Sequence, residues 1–268
     1  MIESVTIRGG RFKNGAPEAV EITLVPGDIT AIVGATGSGK SRLLADIEYL
    51  AQVDTPSGRQ ILINGDVPDS KTRFSRGSKL IAQLSQNMNF VMDATVEEFI
   101  VMHAECREDG KGEGDASDRN ELIHQVVSSA NRLTGEPLSP SSPLTALSGG
   151  QSRALMIADT ALLSDSPIVL IDELENAGIY RDEALRMLVR VGKIVLMATH
   201  DPLLALAAHR RITLSGGGIV QVLTTSDEEK RLLSRLKQAD TALLAIRETL
   251  RRGERLSENS SLFLLAHE

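Results

Sequence analysis

At 268 residues, of which 41% are hydrophobic and 24% charged, the chain can bury a core for one large domain or a domain with an appendage, and it reads as an ordinary soluble globular protein. A formal net charge of −7 removes bulk attraction to nucleic acid or to an anionic membrane, so no nucleic-acid partner is expected. The single cysteine, Cys106, excludes an intrachain disulfide framework and suits a reducing, cytoplasmic compartment. The N-terminal "MIESVTIRGG" lacks the order of a signal peptide, and no window approaches the ~20 apolar residues of a membrane span. Any work at a membrane would need a second, membrane-crossing subunit, with this chain peripheral on its cytoplasmic face.

Three short β-like runs open the chain, "ESVTIR", "AVEITLV" and "DITAIV", separated by turn-formers that include Gly9, Gly10, Pro17, Pro26 and Gly27. The first two alternate apolar and polar residues, whereas the third is continuous enough to be buried on both faces. "RQILING" and "KLIAQLSQ" read as two further strands. From about residue 88 to 160 the pattern turns helical, as in "TVEEFIVMHAEC" and "NELIHQVVSSANRL", and predicts a helical subdomain. Within it "EDGKGEGDASDRN", residues 108 to 120, holds no apolar residue larger than alanine and reads as an exposed, mobile loop. Strand patterns resume at "PIVLIDE" and "KIVLMATH", each preceded by a helical stretch, which implies βαβ units and a largely parallel sheet in an α/β domain over residues 1 to 225. Residues 226 to 268 form a helical extension whose Leu232, Leu236, Ala239, Leu243, Ile246 and Leu250 share one stripe. That stripe packs either on its own domain or against a second copy or partner.

The segment "GATGSGKS" fits G-x-x-x-x-G-K-[ST] between a predicted strand and a predicted helix. Gly34, Ala35, Thr36, Gly37, Ser38 and Gly39 let successive N–H groups converge on phosphate oxygens at the positive end of the next helix, which opens with Lys40, Ser41 and Arg42. Lys40 can reach the β and γ phosphates, and the Ser41 hydroxyl can ligate Mg²⁺. Gln86 in "LSQNM" stands where strand gives way to helix, so its amide can reach both Mg²⁺ and a lytic water, with Gln83 as the competing choice. "LSGGQ" opens another helix, and Ser148, Gly149, Gly150 and Gln151 there are either a second anion-binding end or a simple helix cap. At the end of "IVLIDE", Asp172 can hold the metal and Glu173 can polarise the attacking water. His200 closes the next apolar strand, where its imidazole can donate to a γ-phosphate or orient the water.

These motifs, in this order over roughly residues 1 to 225, resemble the ATP-binding cassette (ABC) ATPase family. The resemblance identifies "GATGSGKS" as the Walker A loop, Gln86 as the Q-loop glutamine, "LSGGQ" as the signature, "IVLIDE" as Walker B and His200 as the switch histidine. It implies a P-loop NTPase core with an antiparallel β subdomain and a helical signature subdomain, ATP and Mg²⁺ as cofactors, and an ATP hydrolase. It also implies a head-to-tail dimer, formed with a second copy or a paralogous ABC subunit, in which the signature of one chain completes the Walker A site of the other. By the same resemblance Phe12 is the aromatic candidate for stacking on adenine, the alternative being that Phe12 packs on antiparallel strands.

After Walker B the chain departs from the family: "LENAGIY" places Ile179 where transporter members carry an aspartate, and only a shifted residue such as Asp182 could substitute. Two functions therefore compete. One is the nucleotide-binding subunit of a transporter, docking an integral membrane subunit near residues 86 to 98. The other is an ABC ATPase without a membrane partner that remodels or activates a cytosolic protein complex or metalloenzyme.

Overall fold

The computed structural model describes residues 2–74, 80–85, 89–106, 116–174 and 178–256. The chain begins with β1 (Val5–Arg8), β2 (Glu21–Leu24) and β3 (Ile29–Val33), which runs through the phosphate loop into α1 (Lys40–Glu48). Next come β4 (Gln60–Ile63), α2 (Ser70–Phe74) and β5 (Ile81–Leu84), then the helices α3 (Val96–Glu105), α4 (Ala116–Asn131) and α5 (Gly149–Leu162). The second half holds β6 (Ile168–Asp172), α6 (Arg181–Arg190), β7 (Ile194–Ala198) and α7 (Pro202–Ala207). A hairpin of β8 (Arg210–Ser215) and β9 (Gly218–Thr224) leads to α8 (Asp227–Arg251). Among the described residues no helix is long and apolar enough to cross a membrane.

Two sheets form. Strands β2-β1-β4 make a small antiparallel sheet, and β5-β6-β7-β3-β8-β9 make the main one, parallel except for β9. The alternation of side chains along each parallel strand divides the interior into two cores. Ile168 and Leu170 of β6, with Leu196 of β7 and Ile32 of β3, face α1 and the antiparallel sheet. Val169 and Ile171, with Val195, Met197 and Ala31, face α3, α4, α5 and α6. Covered on both sides, these strands are largely apolar, which is why "ITAIV", "IVLID" and "IVLMA" read as near-continuous runs. The half-exposed β2, "EITL", alternates.

Three features differ from the sequence expectations. Helix α4 begins at Ala116, so the last five positions of the expected 108–120 loop are helical, and residues 107–115 lie outside the described residues. Asp118 in its first turn suits the positive helix end, and the polar side chains of that turn are exposed, so the scarcity of apolar residues marked exposure rather than absence of helix. The short α2 carried no periodicity because it is a single turn, started by Asp69 accepting from the Thr72 amide at 2.7 Å. In α8 the expected stripe divides: Leu236, Ala239 and Ile246 are half-buried, while Leu232, Leu243 and Leu250 are exposed. Ion pairs of Glu229 with Arg211, Lys237 with Asp182 and Asp240 with Arg181 rotate the helix so that Leu233 and Ala242 also turn inward.

Candidate functional site

The sheet register brings the separated motifs to one edge. Asp172 of β6 stands beside Ala198 of β7, and Ala198 stands beside Ile32 of β3. The carboxyl ends of three adjacent strands therefore stop at one level, and each leads directly into a motif: β6 into Glu173, β7 into Thr199 and His200, and β3 into the loop from Gly34. Such an edge is where open parallel sheets bind ligands. Two bonds hold the exits in place, the Glu173 amide to the Ala198 carbonyl at 3.0 Å and the Thr199 amide to the Ile32 carbonyl at 3.1 Å. Glu173 adopts φ 55°, a left-handed conformation that costs about 1–2 kcal/mol for a non-glycine residue.

The phosphate loop is shaped by close approach. A Cβ on Gly34 would lie 2.5 Å from the Leu214 carbonyl oxygen and 2.6 Å from Ser38 Oγ, and Gly39 adopts φ 112° against the backbone of Gly217. The Ser38 amide turns the loop onto the Ala35 carbonyl at 3.0 Å. Lys40 is buried and its Nζ donates to the carbonyls of Gly34 at 2.8 Å and Ala35 at 3.3 Å. Ser41 and Arg42 are exposed. The fit to an anionic phosphate chain is supported by three observations: α1 starts with no side-chain cap, its first turn carries no acidic residue, and the buried Ser38 Oγ has no partner. Leu84, Ser85, Arg153, Asp172 and Glu173 line a small open pocket between the strand ends and α5.

Gln86 lies outside the described residues. The competing Gln83 is directed away from the edge: with its amide nitrogen toward Glu48 of α1, it donates to both carboxylate oxygens at 3.0 and 3.1 Å. Phe12 is half-buried on the β8–β9 turn, where a Cβ on Gly218 would come within 2.5 Å of its ring. Next to it, Lys13 donates from its amide to Gly216 and from Nζ to the Gly37 carbonyl at 3.0 Å, tying the N-terminal turn to the phosphate loop. His200 is exposed at the edge, and Asp201 beside it caps α7 through the Leu203 amide at 2.7 Å.

The signature stands apart. Ser148 caps α5, accepting from the Gln151 amide at 3.3 Å while Gln151 Oε1 accepts from the Ser148 amide at 2.9 Å. Gln151 Nε2 donates to the carbonyls of Glu136 and Pro137, and α5 packs chiefly on α4, α6 and β5. Ser148 and Gly149 are exposed, with open space beside Gly149. The segment after Walker B rests on this region: Gly178 lies against Gly150, the Tyr180 amide donates to Leu133 at 2.7 Å, and Ile179 packs on the apolar core. Asp182 is bonded to Lys237, so its carboxylate is directed to α8.

Sequence reasoning missed a buried charge network beneath the loop. Arg59, 0% exposed, pairs with Glu18 through two bonds of 2.9 Å, with Asp46 of α1 at 2.9 Å, and with the Gly217 carbonyl at 3.0 Å. Glu18 also accepts from the amides of Gly10 and Ile219. Burial alone would raise the Glu18 carboxyl, but the Arg59 guanidinium and the two amides hold it below its ordinary range. Burial likewise opposes the charge on Arg59, and Glu18 and Asp46 override it. The network locks the β8–β9 turn against Gly39 and against α1. A signal existed, because Asp46 shares the inner face of α1 with Leu43 and Ile47, and a charge there requires a partner.

Comparison with known proteins agrees with this geometry. The profile of the ABC transporter family matches residues 18–176. An uncharacterised ABC transporter ATP-binding protein of Methanocaldococcus jannaschii is 52% identical over 265 residues, covering 98% of each chain. The macrolide export ATP-binding/permease protein MacB of Hahella chejuensis is 30% identical over 215 residues, 75% of this chain, which spans 30% of that protein's length. The lipoprotein-releasing system ATP-binding protein LolD 1 of Rhodopirellula baltica is 28% identical over 75% of this chain and 86% of its own. Among solved structures, cbiO1 of Clostridium perfringens, part of the ABC transporter complex cbiONQ, aligns with a TM-score of 0.61 at 19% identity, over 94% of this chain and all of its own. An ATP-binding cassette dimer in a post-hydrolysis state with ADP and Pi gives 0.60 at 22% identity, over 83% of this chain and 99% of its own.

Proposed function

Because the chain belongs to the ABC transporter family and is an ATP hydrolase of that family, we propose that it energises a transporter by closing and reopening a head-to-tail dimer around ATP and Mg²⁺. The observation that carries this reading is the register of Asp172, Ala198 and Ile32, which gathers the phosphate loop, the acidic pair and His200 on one sheet edge. Lys40, Ser38 and the uncapped N–H groups of α1 hold the phosphates. Ser41 and Asp172, with Gln86, hold Mg²⁺, which when bound neutralises charge developing on the phosphate oxygens. Glu173 takes the proton of the attacking water, and His200 donates to the γ-phosphate. Phe12 offers its outer face to adenine. Ser148 and Gly149, which are exposed, with the half-buried Gly150 and Gln151, complete the site of a second copy or a paralogous subunit. The named relatives are transporter ATP-binding proteins, which favours an integral membrane subunit as the further partner and a position on the cytoplasmic face over the reading without one.

Glu173→Gln should retain ATP binding, lower turnover by about 10²–10⁴-fold and accumulate as an ATP-dependent dimer in size-exclusion chromatography with light scattering. A Glu173→Gln chain that turns over ATP at the wild-type rate, or stays monomeric with ATP and Mg²⁺, would overturn the mechanism. Co-purification with an integral membrane protein in gentle detergent checks the transporter assignment.

A further inference from the structure

We infer that Arg181 is a positioning residue for ATP hydrolysis, acting through Asp201 on His200, and that α8 tunes the site by supplying the outer counter-ion, Asp240. The inference rests on the proposed role of His200. Arg181 is the first residue of α6, directly after the segment that leaves Glu173, and Asp201 directly follows His200. Arg181 Nη1 donates to Asp201 Oδ2, while Nη2 lies 3.6 Å from Asp240 Oδ2 of α8. One guanidinium thus bridges the two segments that carry the water-activating carboxylate and the switch histidine.

The first turn of α6 carries Asp182 and Glu183, which suit the positive helix end, beside Arg181, which opposes it. A cation at the first position of a helix opposes the positive end of the helix dipole, so Arg181 is unfavourable in α6 unless carboxylates surround it. Asp201 supplies one and is itself fixed, since Oδ1 caps α7 through the Leu203 amide and its own amide donates to Thr199 Oγ1 at 3.0 Å. Asp201 and Arg181 are both largely buried, with side chains 13% and 24% exposed, so the pair is screened less than a surface bridge. The loop residue between Thr199 and Asp201 is His200, whose backbone is therefore held at the edge from both sides. Helix α8 adds a second mooring at the adjacent residue, Lys237 to Asp182, and a third at β8, where Glu229 pairs with Arg211. The tail is therefore clamped to the elements that lead out of the nucleotide site.

The test compares Arg181→Met, Arg181→Lys and Asp240→Asn in the full chain, alone and combined with His200→Ala. Arg181→Met should lower kcat about tenfold with KM for ATP within about twofold, Arg181→Lys should recover part of it, and Asp240→Asn should lose about two- to threefold. Adding Arg181→Met to His200→Ala should cause no further loss. Unchanged kcat in Arg181→Met, or a loss that multiplies that of His200→Ala, overturns the inference. Should Arg181→Met not fold, Asp240→Asn carries the same test, and a wild-type kcat there overturns the role of α8. If the wild-type chain turned over no ATP, the proposed function would fail separately. The His200 ring resonance, assigned with His200→Ala, would then decide this inference alone: a shift in Arg181→Met supports it and an unmoved signal overturns it.

Discussion

Helices α1 and α5 both have glycine at their start, Gly39 before α1 and Gly149 and Gly150 opening α5, yet α1 starts with a buried lysine and without a side-chain cap, whereas α5 starts exposed and caps itself with the Ser148–Gln151 box. The surroundings of each end explain the difference. The start of α1 is pressed by Gly217 of the β8–β9 turn, which Arg59 holds from below, so its N–H groups are kept in place without a cap. The start of α5 has open space beside Gly149 and must be stable alone. One end is organised by contacts with distant parts of the chain, and the other by its own capping box.

The largest expected effect separates the two ends directly. Lys40→Ala should weaken ATP binding by the isolated chain by on the order of a hundredfold, as loss of charge-assisted bonds to phosphate implies, while Ser148→Ala leaves monomer binding within about twofold. Equal losses in calorimetric titration would break the comparison. Comparable in size, Arg59→Ala strands Glu18 and Asp46 beneath α1 and should cost about 3–5 kcal/mol in urea unfolding, the range for removing one partner of a buried ion pair. A loss under about 1 kcal/mol would mean that the network does not support the loop.

Acid sharpens the same point. Glu18 is held below its ordinary value of 4.5, so the stability it contributes is fully present at neutral pH and is lost as pH falls below about 4.5 and through the depressed folded value. Glu18→Gln should accordingly be less stable than wild type at pH 7 and converge with it in acid, read from unfolding curves across that window. Parallel curves at every pH would mean that the Glu18 charge contributes nothing to the network. The smallest effect belongs to the exposed end: Ser148→Ala should cost about 1 kcal/mol of stability as an N-cap loss, far below Arg59→Ala.

Much of the fold was legible because its cause is local. A parallel strand covered on both faces is largely apolar, so β3, β6 and β7 appear as runs, and a phosphate loop must be contiguous, so Gly34 to Ser41 appears as a motif. The α2 turn and the start of α4 were not legible, since single turns and wholly exposed helix ends carry no periodicity. The rotation of α8 was misjudged for a different reason. Its apolar spacing allows several faces, and the ion pairs at Glu229, Lys237 and Asp240 select one.

The sequence by itself marked out a lysine loop, an acidic pair and a histidine, each at the end of an apolar strand, because each of these motifs is contiguous along the chain. Only the tertiary structure decided what holds them there. Arg59 joins Glu18, Asp46 and Gly217, and Arg181 joins Asp201 and Asp240, across separations that no periodicity records. A buried charge in the sequence states only that it needs partners, and the packing of distant elements determines which partners it meets.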